Sequence, residues 1–139
     1  MAYEKTFVMI KPDAFERGIV EEIFKRIKDT GLSIVKEKEI FVTREQAERL
    51  YAAHRNNKYF EPLVEYIMSG KVKVMQIEGE NAINIIRSLI GPTNPEEAPA
   101  GTIRGDYKLK SQNGKVIKNT IHGSDSVESA KRELLIFFE

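Results

Sequence analysis

Two histidines are the only imidazoles in the chain, and their settings differ. His122 follows the apolar run Val116 to Ile121 and directly precedes Gly123-Ser124-Asp125-Ser126. A strand end feeding a glycine turn and a capped helix is a rigid mount, able to hold an imidazole beside backbone donors that face anions. In strand alternation His122 points away from the side that buries Ile117 and Ile121. His54 falls instead on a helical stripe with Ala47, Leu50 and Tyr51, which suits a structural histidine at the rim of the core. Three cations join these. Lys11 ends the first apolar run, Arg87 lies off the Ile85, Ile86, Leu89 stripe of its helix, and Arg104 sits in Gly101-Thr102-Ile103-Arg104-Gly105-Asp106. The flanking glycines allow close backbone approach to a ligand. Guanidinium groups grip phosphate oxygens by paired hydrogen bonds, so a histidine with two arginines and a lysine is a sensible set for phosphoryl transfer. Taken singly, each cation reads more simply as a solvated charge, and spacing alone does not bring the four together.

Other chemistries are excluded more firmly. The chain has no cysteine, which removes disulfide frameworks, thiolate zinc sites and cysteine nucleophiles. It has no Gly-x-x-x-x-Gly-Lys-Ser/Thr loop, no Gly-x-Gly-x-x-Gly, no kinase catalytic loop, and neither His-Glu-x-x-His nor EF-hand spacing. Lys and Arg number 22 against 21 Asp and Glu, so no charge surplus favours a nucleic acid or an anionic membrane as main partner. The longest apolar run, Leu134 to Phe138, is far short of the ~20 residues of a membrane span. The start, Met1 to Thr6, lacks the plan of a signal peptide, and the expectation is a cytoplasmic protein.

At 139 residues the chain has the length of one domain, with 41% hydrophobic residues for its core. Thr6 to Ile10 reads as a buried central strand, ended by Lys11-Pro12-Asp13. Val20, Ile23, Phe24 and Ile27 recur at helical spacing before Gly31. Leu32 to Val42 reads as a charged edge strand. Thr43 with Gln46 has capping-box form and opens a second helix. Another helix carries Phe60, Leu63, Val64 and Ile67, with Pro62 in its first turn. Val72 to Ile77 is a third strand, and Asn81 to Ile90 a helix with Ala82, Ile85, Ile86 and Leu89 in register. From Gly91 to about Lys115 no period holds, which in a compact domain marks a functional or disordered segment. Val116 to Ile121 is a fourth strand, and Asp125 with Glu128 forms a second capping-box pair before Val127, Ala130 and Leu134. This order suggests a split βαβ sandwich of the α+β class, one sheet with helices on one face.

Four segments carry a resemblance. Thr6-Phe7-Val8-Met9-Ile10-Lys11-Pro12-Asp13-Ala14, Gly91-Pro92-Thr93-Asn94-Pro95 and Gly101 to Asp106 precede the most specific, Asn119-Thr120-Ile121-His122-Gly123-Ser124-Asp125-Ser126-Val127-Glu128-Ser129-Ala130. In this order, over nearly the whole chain, they resemble the nucleoside diphosphate kinases. The resemblance implies a ferredoxin-like βαββαβ sandwich with an antiparallel four-stranded sheet, in a single domain over residues 1–139. It implies a ping-pong reaction: a nucleoside triphosphate, typically ATP, gives its terminal phosphoryl group to a histidine, which passes it to a nucleoside diphosphate and so maintains the triphosphate pools. His122 matches the phosphorylated residue. An ordinary imidazole, with pKa ~6.5, is largely neutral near pH 7 and needs no strong base. Glu133 and Ser124 match the pair that orients that ring. Lys11, Tyr51, Arg87, Thr93 and Arg104 match phosphate-lining positions, and Asn119 with Lys11 the sugar contacts. Tyr59 matches the base platform, with Leu63 below it; stacking on a π-face tolerates every base. Magnesium (Mg2+) is implied as a cofactor that arrives on the nucleotide, with no direct protein ligand and Asp125 touching it through water. A homo-oligomer is implied, a hexamer ahead of a tetramer or dimer.

The chain departs from the family pattern in three places. The usual proline–phenylalanine–phenylalanine is Lys58-Tyr59-Phe60, Lys71 stands where proline is common, and twelve residues separate Asp106 from Asn119, several more than usual. The added residues, about 110–118, fall where the family places a contact to the second face of the base, which is left unassigned. An inactive nucleotide-binding regulatory protein of the same fold is the alternative. It would show damage among His122, Arg87, Arg104, Lys11 or Glu133, and all five are present. A ferredoxin-like RNA-binding module would show paired aromatics on its strands and a basic face, and neither is found.

Overall fold

The computed structural model describes residues 2–93, 97–108 and 119–138. Four strands, β1 (Tyr3–Ile10), β2 (Ser33–Phe41), β3 (Lys71–Glu80) and β4 (Ile121–Gly123), form one sheet in the order β2-β3-β1-β4. Each neighbouring pair is antiparallel. β1 and β2 therefore run parallel with β3 inserted between them, and β3 and β4 flank β1 in the same way. These are two interleaved split βαβ units, the ferredoxin-like arrangement of an α+β sandwich. Between β1 and β2 come α1 (Pro12–Arg17) and α2 (Val20–Lys28); α3 (Arg44–Leu50) and α4 (Phe60–Met68) precede β3. Then α5 (Ala82–Ile90) and α6 (Ile103–Asp106) lead to β4, and α7 (Val127–Phe137) follows it.

Helices cover both faces of the sheet, not one as the sequence suggested. Phe7, Met9, Val72 and Val74 point to α3, α4 and α7, where Ala47, Leu50, Val64, Ile67 and Phe137 meet them. The alternate residues Val8, Ile10, Met75 and Ile77 point to α2 and α5 and bury Ile23, Ile27, Ile86 and Ile90. The two central strands are therefore buried on both faces, β1 wholly from Thr6 to Ile10 and β3 from Val72 to Ile77, where Lys73 and Gln76 are buried with the apolar residues. β2 lies at the edge and is largely exposed, as its charges predict.

Local signals hold with small shifts. The Thr43 hydroxyl accepts the Gln46 N–H at 3.1 Å and the Gln46 side chain accepts the Thr43 N–H at 3.0 Å, completing the capping box of α3. α7 begins one residue later than its acidic pair suggests. Its N-cap is Ser126, whose hydroxyl accepts the Ser129 N–H, so Asp125 is not a cap. The buried face of α5 is Ala82, Ile83, Ile86 and Ile90, with Ile85 and Leu89 only half-buried, because the helix rolls toward β1 and β4. The fourth strand is Ile121–Gly123 and includes His122. Of the expected strand Val116 to Ile121, residues 116–118 lie outside the described residues, as do Asn94, Pro95 and the added segment 110–118. Thr120, at φ 75°, breaks extended geometry just before β4.

Candidate active site

His122 stands mid-way along β4, opposite Met9 of β1, on the face that carries α3, α4 and α7. Its ring lies 5.9 Å from that of Phe7, which stacks on Phe137 of α7 at 5.0 Å. This apolar column brings α7 back beside the strand, and with it Glu133. The Nε2 of His122 lies 2.8 Å from Glu133 Oε1, and the same oxygen accepts the Ser124 hydroxyl at 2.7 Å. Ser124 is fixed in turn by β1: its Oγ accepts the Phe7 N–H at 3.3 Å, and its own N–H donates to the Phe7 carbonyl. Burial raises the Glu133 carboxyl pKa. The hydrogen bond from His122, the charge of that ring, the Ser124 hydroxyl and Arg132 outweigh burial and hold it below the usual carboxylate range. An ionised carboxylate accepts, so Nε2 carries the proton. In the neutral ring Nδ1 is then the unprotonated nitrogen, and the ring lines a cleft.

That cleft has a volume of about 480 Å³, in the range of small-molecule sites. Lys11, Tyr51, Tyr59, Leu63, Arg87, Thr93, Arg104, Asn119 and Asp125 all line it together with His122 and Glu133. The structure thus brings together the site residues expected from the sequence; Ser124 alone does not line the cleft, being buried behind the Glu133 carboxylate to which it donates. Lys11 donates from Nζ to Asn119 Oδ1 at 2.7 Å, and Asn119 Nδ2 donates to the Thr93 carbonyl at 3.1 Å. Arg87 donates to the Gly123 carbonyl at 3.2 Å. A Cβ on Gly123 would sit 2.8 Å from Ile90 Cδ1, so glycine lets α5 pack closely enough for Arg87 to reach.

Arg104 is buried. It donates to the Gly91 carbonyl at 3.0 Å and to the Ile121 carbonyl at 2.8 Å, while its Nε–H has no partner among the described residues. Burial, then the nearby Arg87 charge, pushes its guanidinium down to about 10. Of the two glycines beside it, Gly105 has a role within the fold. A Cβ on Gly105 would lie 2.1 Å from the Pro99 carbonyl oxygen, so its small size accommodates the chain's own turn. Lys11, Arg87 and Arg104 with a carboxylate-backed imidazole in one cleft are chemically suited to a polyanion, and the imidazole is a side chain able to act as a nucleophile.

Comparison with known proteins agrees with this geometry. The family model described as nucleoside diphosphate kinase matches residues 4–139. The chain belongs to the nucleoside diphosphate kinase family. The nucleoside diphosphate kinase of Saccharolobus solfataricus is 48% identical over 139 residues, covering 100% of this chain and 97% of the relative. That of Archaeoglobus fulgidus is 50% identical over 135 residues, covering 97% and 86%. Among solved structures, the Borrelia burgdorferi enzyme is similar with a TM-score of 0.91 at 31% identity, covering 99% of this chain and 88% of that one. It is described as a transition state mimic with bound vanadate and ADP. The apo enzyme of Encephalitozoon cuniculi gives a TM-score of 0.88 at 42% identity, covering 97% and 88%. The chain is accordingly a phosphotransferase acting between nucleoside tri- and diphosphates.

In this kinase His54 departs from the helical stripe that its spacing predicts. α3 ends at Leu50, and Ala52–His54 forms a 3₁₀ turn, so the helical stripe does not extend to His54. His54 is exposed rather than at the rim of the core, and it lines the same cleft, its Nδ1 3.1 Å from Asn57 Nδ2. The Asn56-Asn57 break next to it is the sequence signal that could have placed it there. Tyr59 is 42% exposed, and Lys58 Nζ stands over its ring, 5.3 Å from the centroid.

Proposed function

We propose that this enzyme carries the phosphoryl group on His122 between two nucleotides. The observation that supports this most strongly is the hydrogen bond of Nε2 to a buried, ionised Glu133, which leaves Nδ1 as the nucleophile of a cleft lined by Lys11, Arg87 and Arg104. The Nδ1 lone pair attacks the terminal phosphorus, the bond to the bridging oxygen breaks, and the diphosphate leaves with that electron pair. No proton is removed from Nδ1. The ring now holds both the phosphoryl group and the Nε2 proton, and Glu133 stabilises the resulting positive charge. A second diphosphate reverses these steps. Arg87, Arg104, Thr93, Tyr51 and Lys11 bind the phosphates, Lys11 and Asn119 the sugar, and Tyr59 with Leu63 the base. The expected result is a set of parallel double-reciprocal lines when ATP and a nucleoside diphosphate are varied together; intersecting lines would mean direct transfer in a ternary complex.

Magnesium fits the cleft as an ion brought by the nucleotide, where it shields phosphate charge. Glu133 is engaged with His122 and Ser124, and Asp125 is the other carboxylate lining the cleft. The Ser129 hydroxyl and Arg87 hold the Asp125 carboxyl below its ordinary range against burial, so it is anionic and suited to water-mediated contact. The same reading includes a homo-oligomer, supported by the exposed edge strand β2 with Val35 and Phe41 uncovered; sedimentation is expected to give a hexamer, and a monomer would contradict it. The described residues include no helix long and apolar enough to cross a membrane. A cytoplasmic location follows from substrates that are intracellular nucleotides.

Lys11 gives this reading a pH signature. Burial, and behind it Arg104, push its ammonium down to about 7, against the pull of Asp13. Bound phosphates favour the cation, so its pKa rises on binding and a proton is taken up above pH 7. At pH 8 the terminal phosphate of ADP, with an ordinary pKa of about 6, is already ionised and contributes little. Calorimetric titration with magnesium-ADP at pH 8, in two buffers of different ionisation enthalpy, is expected to show net proton uptake, abolished in Lys11→Met. Zero uptake in the wild type would contradict this assignment.

A further inference from the structure

Thr120 adopts φ 75°, a region that β-branched side chains rarely enter. Its neighbours close a three-residue turn around it, with the Ile121 N–H donating to the Asn119 carbonyl at 2.8 Å. An i to i+2 bond with positive φ at the centre is the rare, strained form of the γ-turn. Such strain persists only where the surroundings enforce it. Here the enforcement is visible. The Thr120 hydroxyl donates to Asp13 Oδ2 at 3.0 Å, and its carbonyl accepts the Lys11 N–H at 2.8 Å. The other Asp13 oxygen accepts the Tyr66 hydroxyl of α4, and the Asp13 N–H donates back to that hydroxyl at 3.3 Å. Thr120 and Asp13 are 1% and 2% exposed, and Tyr66 is buried with them. Asp13, Tyr66, Thr120 and Ile121 do not line the cleft, yet the turn ties together residues that do: Asn119 before, His122 two positions after, Lys11 bonded to both Thr120 and Asn119.

We propose that Asp13 and Tyr66 are positioning residues of the active site, clasping Thr120 in the γ-turn that aims Asn119 at Lys11 and delivers His122 into β4. A straight chain through Thr120 would swing Asn119 off Lys11 and shift the start of a strand only three residues long. The inference rests on His122 as the residue that accepts the phosphoryl group.

The test is a substitution series at Thr120, read by single-turnover phosphorylation with magnesium-ATP and by thermal unfolding. Thr120→Ser keeps the hydroxyl and is expected within about twofold of the wild-type rate. Thr120→Val keeps the shape, loses the clasp, and is expected to be at least about tenfold slower, with kcat falling more than KM changes. Thr120→Gly also lacks the clasp but adopts positive φ freely, so it is expected to recover to within about threefold of wild type while melting lower. A bond that only stabilised the fold would give the opposite order, with glycine the worst on every measure. Tyr66→Phe, at the far end of the network, is expected to slow phosphorylation about threefold and serves if the valine variant does not fold. Wild-type rates in Thr120→Val or Tyr66→Phe, or a glycine variant as slow as the valine, would overturn the proposal. Peptide mapping of the wild-type label separates the two claims. Label on His122 with unaffected variants removes only the clasp, whereas label elsewhere removes the nucleophile assignment and the clasp with it.

Discussion

His122→Gln is expected to lower turnover by about 10⁴-fold or more while leaving the fold and most nucleotide affinity in place. Glutamine approximates the reach of imidazole and retains an N–H donor, so the Glu133 carboxylate keeps a partner at the position now filled by Nε2. The β1–β4 pairing uses backbone groups and is unaffected. Lys11, Arg87 and Arg104 remain to hold the phosphates. What disappears is the lone pair at Nδ1 of the ring that Glu133 orients; Ser124 already donates to that carboxylate, and His54, the other imidazole lining the cleft, pairs with the Asn57 amide and not with a carboxylate. A coupled assay for triphosphate formation and calorimetric binding of ADP read the two quantities separately. Residual turnover above about one per cent of wild type would mean another nucleophile.

Arg104→Ala is expected to lower kcat by about 10²–10³-fold and to weaken ADP binding by much less. Two of its donors are fixed on backbone carbonyls, Gly91 and Ile121, so the side chain is pre-oriented before any ligand arrives. It is held charged in a buried place beside Arg87, at a cost that only an incoming anion relieves. Charge accumulating on the departing bridge oxygen relieves it most, so the benefit belongs to the transition state. Truncation also leaves the two carbonyls without these donors, and a lower melting temperature accompanies the loss. Arg104→Lys separates the effects: it keeps the charge but not the planar fork, and is expected to regain binding while remaining slow. Equal losses in binding and rate would contradict this role.

Much of the arrangement was legible before the structure. Short-range signals did well where one physical cause dominates, as in the Thr43–Gln46 box and the edge character of β2. Spacing alone left Lys11, Arg87 and Arg104 as separate charges on distant segments; it was the resemblance of the ordered motifs that implied the set now found lining one cleft. The failures have local causes too. Placing helices on one face ignored what the unbroken apolar run of β1 already implied, since a strand with only one buried face alternates. The letters place the cap at Asp125 and the backbone places it at Ser126, because aspartate and serine compete for that role. His54 followed a helical stripe past the point where α3 had ended. The Asp13–Tyr66–Thr120 network could not have been read at all: its members are 53 and 107 positions apart, and nothing in the letter for threonine records a positive φ.

Phosphoryl transfer by way of His122 is tested most directly by trapping the loaded enzyme. Protein exposed briefly to magnesium-ATP labelled at the terminal phosphate is expected to carry an acid-labile, base-stable label. Mapping should place it on the peptide containing His122, addition of a nucleoside diphosphate should discharge it, and His122→Gln should not acquire it. An acid-stable label, or one that persists in His122→Gln, would contradict the account.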